Sequence, residues 1–300
     1  MKNYIIGQYG HFSEYKFKKD YRKGFYGIEA CSMNSEEDIC ALAKALDDNN
    51  LKLGIHFPLR GGVFENRDPL FLDADQNIRN ASFKQIDEEL VYIKKKRLNP
   101  EYILFHYPKL AIIPNDFDLS RWKFYDRSEY VYESDYSFNM LAEQSENLFQ
   151  WLSVRASEYN FIPVLELDTL NKYILKTTFL EDLLIKYPRI KLCIDIGRIH
   201  VQSSIDAGFN DIDLLRRFTR HTKILHLWHA KVGVTVEHGH FPLLPNLKPE
   251  DGWADVEKYF EIIRKENRDV KLHFEHRSDL ITDEELDSCY EWINRLYNNS

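Results

Sequence analysis

Along this chain, short apolar runs alternate with longer stretches in which apolar residues recur every three or four positions. The short runs are YIIGQYG (4–10), FYGIEACSM (25–33), LKLGIHFP (51–58), EYILFHYP (101–108), FIPVLELD (161–168), KLCIDIGR (191–198), KILHLWHAK (223–231) and KLHFEHR (271–277). Each is rich in β-favouring residues and ends in polar, Gly or Pro punctuation, the pattern of strands buried on both faces of a parallel sheet. Helix candidates lie between them. Ser35 opens SEED, Ser82 opens SFKQ and Thr282 opens TDEE, each fitting a capping box. After Ser82, the residues Phe83, Ile86, Leu90 and Ile93 follow helical spacing. Further helices are predicted over 137–159, 178–187, 211–220 and 253–267.

Eight strands alternating with helices over 300 residues is the count of an α/β (β/α)8 TIM barrel, here a single domain over 1–300. A doubly wound open sheet competes. However, the first strand–helix junction has neither a GxGxxG nor a P-loop to cradle phosphate.

Composition narrows the class of protein. Apolar residues are 44% and charged residues 29%, the balance of a soluble globular chain. The formal charge of −8 is unfavourable beside a phosphate backbone, and the basic run YIKKKR (92–97) sits where a helix should end. Nucleic acid is therefore a disfavoured partner. The four cysteines (Cys31, Cys40, Cys193, Cys289) are widely spaced without a CxxC, which points to a reducing compartment. The start MKNYIIGQYG is too polar for a signal peptide, and no apolar run reaches membrane-spanning length. The expectation is a cytoplasmic protein without a membrane partner.

In such a barrel the βα loops at the C-terminal strand ends build the site. Potential metal ligands fall at or near those ends: His56 on strand three, His106 on four, Glu166 on five, Asp195 on six, His226 with His229 on seven, and Glu275 with His276 on eight. Strand two adds Glu29. A lone histidine at a strand end is more often structural than functional. Carboxylates inside VLELD, CIDIG and HFEH are another matter, because burying an unpaired charge costs several kcal/mol. Three that converge would repel one another unless a cation joined them, so Glu166, Asp195, His226 and Glu275 form the primary ligand set. Mixed carboxylate and imidazole ligation suits Zn, Mn, Fe or Co better than Ca. In VEHGHFPLLP (236–245), His238 and His240 share one side of an extended backbone. With His56 and His106 they are candidate additional ligands or substrate contacts. Arg198, His200, Lys231 and Arg277 are candidate substrate-binding residues. For Arg198 the alternatives are a substrate phosphate or carboxylate and a salt bridge to a neighbouring acid.

The ordered series LEL, IDIG, LHLWHAK and HFEH resembles the xylose isomerase-like barrel superfamily, across nearly the whole chain. That superfamily includes sugar isomerases and epimerases and the endonuclease IV family. In its sugar-isomerizing members a Glu, Asp, His, Glu series binds one divalent metal, usually Mn, Co or Mg. The resemblance carries those roles to Glu166, Asp195, His226 and Glu275, and makes Glu166 and Glu275 a paired acid and base. It implies a metal-dependent isomerase or epimerase of a sugar or sugar phosphate, working through a metal-stabilised enediolate. The alternative is an endonuclease IV-like zinc phosphodiester hydrolase acting on abasic DNA, a reading to which His56, His106 and His240 are similar. Two departures count against that alternative. His238 stands in place of a loop Asp, and Arg198 stands in place of a strand-six His, with His200 two residues late. A third reading, a barrel that binds ligand without turnover, also fits the fold.

Overall fold

The computed structural model describes residues 1–122, 124 and 126–298. Among these, eight parallel strands close a barrel. They are β1 (Tyr4–Tyr9), β2 (Gly27–Cys31), β3 (Lys52–His56), β4 (Tyr102–Tyr107), β5 (Ile162–Leu167), β6 (Lys191–Asp195), β7 (Thr222–Leu227) and β8 (Lys271–Phe274). Every residue of β2 and β4 is buried. This is why these strands read as continuous apolar runs rather than as alternating ones. No described helix is long and apolar enough to cross a membrane.

By contact density the chain divides into two units. One comprises Met1–Gln8, Ser13–Ile28 and Leu192–Ser300, and the other Tyr9–Phe12 with Glu29–Lys191. In the second unit, β3 pairs with β4 and β4 with β5, and the register sets His106 directly opposite Glu166. In the first unit, β8 lies between β1 and β7, and β7 pairs with β6. There Asp195, His226 and His273 form one row across neighbouring strands.

The strands are all shorter than their apolar runs, and two of the breaks have a clear local cause. The β6 strand ends at Asp195 because that residue caps a helix over Ile196–Ile205. The run KILHLWHAK breaks at Trp228: β7 stops at Leu227, and a hairpin of His229–Val232 with Val236–Phe241 begins after it.

Helix starts follow the capping signals at Ser35 and Thr282, and Ser137 caps the helix expected over 137–159. The Thr282 signal is a full capping box: Glu285 N donates to Thr282 Oγ1 at 3.2 Å and Thr282 N donates to Glu285 Oε2 at 2.9 Å. The expectation at Ser82 is overturned. That helix runs Gln76–Lys95 with Asp75 as its N-cap. Ser82 lies buried within it, its hydroxyl donating to Ile78 O at 2.9 Å. A serine with a glutamine three residues on fits the box pattern wherever it falls. The Asp75 carboxylate, receiving Asn77 N at 2.7 Å, satisfies the exposed first turn instead.

Candidate metal centre

In the second unit, Glu166 sits near the end of β5, only 1% exposed. His56, the last residue of β3, points Nε2 at Glu166 Oε2 from 3.2 Å, and His106 on β4 points Nε2 at the same oxygen from 3.4 Å. The two rings meet edge to face, with centroids 4.8 Å apart. His56 lies opposite Leu104, two residues before His106, so alternation along β4 turns both imidazoles to one side. Each of the three residues offers one ligand atom, all within 4.8 Å of one another, and all three side chains are buried. Ligand atoms about 2.1 Å from a common ion stand about 3 to 3.5 Å apart. Two imidazoles and a carboxylate at these separations therefore fit a divalent transition ion, zinc or manganese rather than calcium.

Partners behind the rings fix their orientation. Asp68 Oδ2 lies 2.9 Å from His106 Nδ1. Lys109, buried, holds its ammonium 3.1 Å from Asp68, 3.5 Å from Glu129 and 3.8 Å from Asp168. His56 Nδ1 faces Phe57 O at 3.4 Å and Cys31 Sγ at 4.0 Å. Burial opposes charge on both histidines. The Cys31 thiol and Glu166 nevertheless push His56 up, and Asp68 and Glu166 push His106 up. Burial likewise opposes charge on Asp68, yet His106 and Lys109 hold its carboxyl well below the usual range. Glu29 is fully buried on β2, and its carboxylate accepts from Tyr102 Oη at 2.6 Å and Tyr9 Oη at 3.4 Å. Gly54 makes the Tyr102 contact possible, since a Cβ there would lie 2.2 Å from the tyrosine ring.

The first unit carries Asp195, His226 and Glu275, the remaining three of the expected primary ligand set. Asp195 Oδ1 accepts from Gly197 N at 2.8 Å and Arg198 N at 3.0 Å, and Trp228 Nε1 donates to Oδ2 at 2.7 Å. A Cβ on Gly197 would lie 2.4 Å from the indole, so glycine is what admits Trp228 to this position. His226 Nδ1 is 3.0 Å from Glu275 Oε2, and Glu275 is the first residue past β8.

The hairpin histidines part company. His240 adopts φ +50, which breaks the extended run and with it the shared side expected for the pair. Its ring stacks on Trp228 at 4.3 Å, and Nδ1 lies 3.0 Å from Glu275 O. His238 is exposed and stacks on Trp253 instead, centroids 5.8 Å apart.

The substrate-contact candidates all have protein partners. Arg198 Nε is 3.4 Å from Asp195 Oδ2, the salt-bridge alternative raised by the sequence. Lys231 Nζ is 2.8 Å from Glu237, and Arg277 is 2.6 Å from Asp279. His200 Nε2 lies 3.0 Å from Gly252 O, and burial lowers the pKa of its ring.

Three residues of these clusters escape the strand-end pattern. His273 is fully buried with its ring 4.7 Å from that of His226. It was legible as the i−2 partner of Glu275. Lys109 is legible too, as a lone lysine in the apolar run YILFHYPKLAII. Asp68 lies in a loop without periodicity, and nothing in the sequence around it marks its role.

The eight-stranded barrel is a fold found in several solved sugar epimerases and in a xylose isomerase domain-containing protein. Among solved structures, the chain resembles the 3-keto-D-glucoside 4-epimerase YcjR of E. coli, at 13% identity, TM-score 0.59 and 98% of each chain covered. It also resembles a D-tagatose 3-epimerase-like protein, at 14% identity and TM-score 0.61, over 97% of this chain and 98% of that one. A third likeness is to the IOLI protein with a bound zinc atom, at 12% identity and TM-score 0.58, over 97% of each. No protein-family model matches the sequence, and neither does any curated protein.

Proposed function

We propose that this protein is a divalent-metal-dependent isomerase or epimerase of a sugar or sugar phosphate. The observation that carries the reading is Glu166: a buried carboxylate faced by two imidazole nitrogens at 3.2 and 3.4 Å, at the strand ends where barrels of this kind build sites. The fold shared with sugar epimerases and with a zinc-bound barrel agrees with it. In this reading Glu166, Asp195, His226 and Glu275 hold the ion, and His56 and His106 add nitrogen ligands at Glu166.

Bound there, a divalent ion supplies Lewis acidity to a substrate carbonyl. The residues of the chain do the rest. Glu166 and Glu275 act as base and acid at the carbon next to that carbonyl, one taking its proton and the other returning one. The Glu275 carbonyl accepts from Nδ1–H of His240, which leaves Nε2 as an acceptor for a substrate hydroxyl. Trp228 holds Asp195 from one side and supports the His240 ring from the other. The abasic-DNA hydrolase gains no support, because the Arg198 guanidinium stands beside Asp195 where a further cation would have to approach.

The test is metal analysis of the purified protein, followed by turnover on a panel of ketohexoses, keto-glucosides and their phosphates. The expected result is bound Mn, Co or Zn and interconversion of a stereoisomer pair. Glu275→Gln is expected to lower kcat by about 10² to 10⁴. Wild-type-level turnover in that variant would remove Glu275 from acid–base duty. Cleavage of an abasic duplex, with strongly salt-dependent binding, would replace the reading altogether.

A further inference from the structure

Behind the ligand cluster lies a charged network with no part in the chemistry above. Lys109 is 3% exposed, and a buried ammonium costs several kcal/mol unless it is well paired. Its nitrogen is shared among Asp68, Glu129 and Asp168. One of these acids continues inward: Asp68 Oδ2, 3.1 Å from the lysine, is also 2.9 Å from His106 Nδ1. The two nitrogens of an imidazole sit on opposite edges of the ring, so a partner that fixes one of them aims the other. His106 Nε2 is thereby turned to Glu166 Oε2. The loop that carries Asp68 is tied to the same lysine through its backbone, since Leu72 N donates to Lys109 O at 2.9 Å. Tyr136 Oη, donating to Leu72 O, pins the loop a second time.

We infer that Asp68 is a positioning residue for His106 and that Lys109 holds Asp68 in place, so that the chain Lys109–Asp68–His106 aims a neutral Nε2 lone pair at the metal. This inference rests on the proposed metal site. It assigns a task to an Asp and a Lys that a packing role would leave interchangeable with apolar residues of similar size. A carboxylate that receives Nδ1–H also raises the donor strength of Nε2, so Asp68 contributes to affinity as well as to direction.

The experiment uses the full chain, stripped with a chelator and titrated with Zn²⁺ against a chromophoric competitor. Wild type, Asp68→Asn, Asp68→Glu, Lys109→Met, His106→Gln and the D68N/H106Q double variant are compared. Asp68→Asn is expected to weaken Zn²⁺ binding by about 10- to 100-fold. Asp68→Glu, which keeps the carboxylate, should recover most of that loss, and Lys109→Met should fall between Asp68→Asn and wild type. Because Asp68 acts through His106, D68N should cost nothing further once His106 is glutamine, whereas a packing role would give additive losses. Long-range ¹H–¹⁵N spectra of histidine-labelled, zinc-loaded protein should place the His106 proton on Nδ1 in wild type, with that signature altered in D68N. Additive losses, or D68N binding zinc like wild type with an unchanged His106 signature, would overturn the inference and leave the metal reading intact. Wild-type protein that takes up no Zn²⁺ would overturn both.

Discussion

Gly197 illustrates how much of this site is decided by a single residue without functional groups. A Cβ at this position would lie 2.4 Å from the Trp228 ring, closer than any real contact, and the indole is too tightly placed to give way freely. Gly197→Ala therefore has to move Trp228, and with it both the donor to Asp195 and the platform under His240. Overpacking of this kind costs about 1–3 kcal/mol, and urea denaturation should register a loss of that size. Gly239→Ala is the control, because a Cβ there meets nothing within 4 Å. It should shift the midpoint by less than about 0.5 kcal/mol. Equal stabilities for the two variants would mean that the Trp228 contact is not what fixes the glycine. The aspartate is legible in IDIG but this dependence is not, since the partner that crowds Gly197 comes from the break after β7, 31 residues further on.

At the scale of elements, the outcome divides according to whether the signal is local. Strand runs and capping boxes are local, and most of them form as read. The exception at Ser82 shows what pattern alone lacks: both Asp75 and Ser82 begin plausible helices, and only the fold of the preceding loop decides between them. Ser35→Ala removes a hydroxyl that receives Asp38 N at 3.1 Å and should cost about 1 kcal/mol. Ser82→Ala removes only a bond back to Ile78 O within the helix, while alanine has the better helix propensity. Its effect should stay within about 0.5 kcal/mol. A loss at Ser82 as large as that at Ser35 would place the helix start where the sequence first suggested it. The same reasoning explains the ligand clusters. Glu166, His56 and His106 were legible because strand alternation turns them to one side. Asp68 was not, because it reaches His106 from a loop whose path no periodicity encodes.

For the molecule as a whole, the histidines make stability a function of pH, and in two opposing directions. Burial, with some help from His200, depresses His229 to about 3 from an ordinary value near 6.5. An unfolded chain would take up this proton first, so the stabilisation from a neutral His229 is complete above about pH 6.5. It is lost as the pH falls from there towards 3, by up to about 1.4 kcal/mol per pH unit. His200, lowered by burial, acts in the same direction. His56 and His106 are raised in the metal-free protein, so their contribution is present below the unfolded value and is lost as the pH rises through their folded values. In the metal-free chain the two sets act in different windows, His229 and His200 below about pH 6.5 and His56 and His106 above it, so stability should pass through a maximum near that pH. An ion bound at Glu166, His56 and His106 needs both imidazoles neutral, so its own stabilisation grows with pH and replaces theirs. The expected measurement is a pair of melting curves, zinc-loaded and chelator-stripped, at pH 7.5 and 5.5. Zinc should raise Tm substantially at pH 7.5 and much less at pH 5.5, and His229→Gln should soften the acid decline in both forms. A zinc increment that is the same at both pH values would mean that the ion is not held by the imidazoles. An acid decline untouched in His229→Gln would show that the buried ring at 229 is not its source.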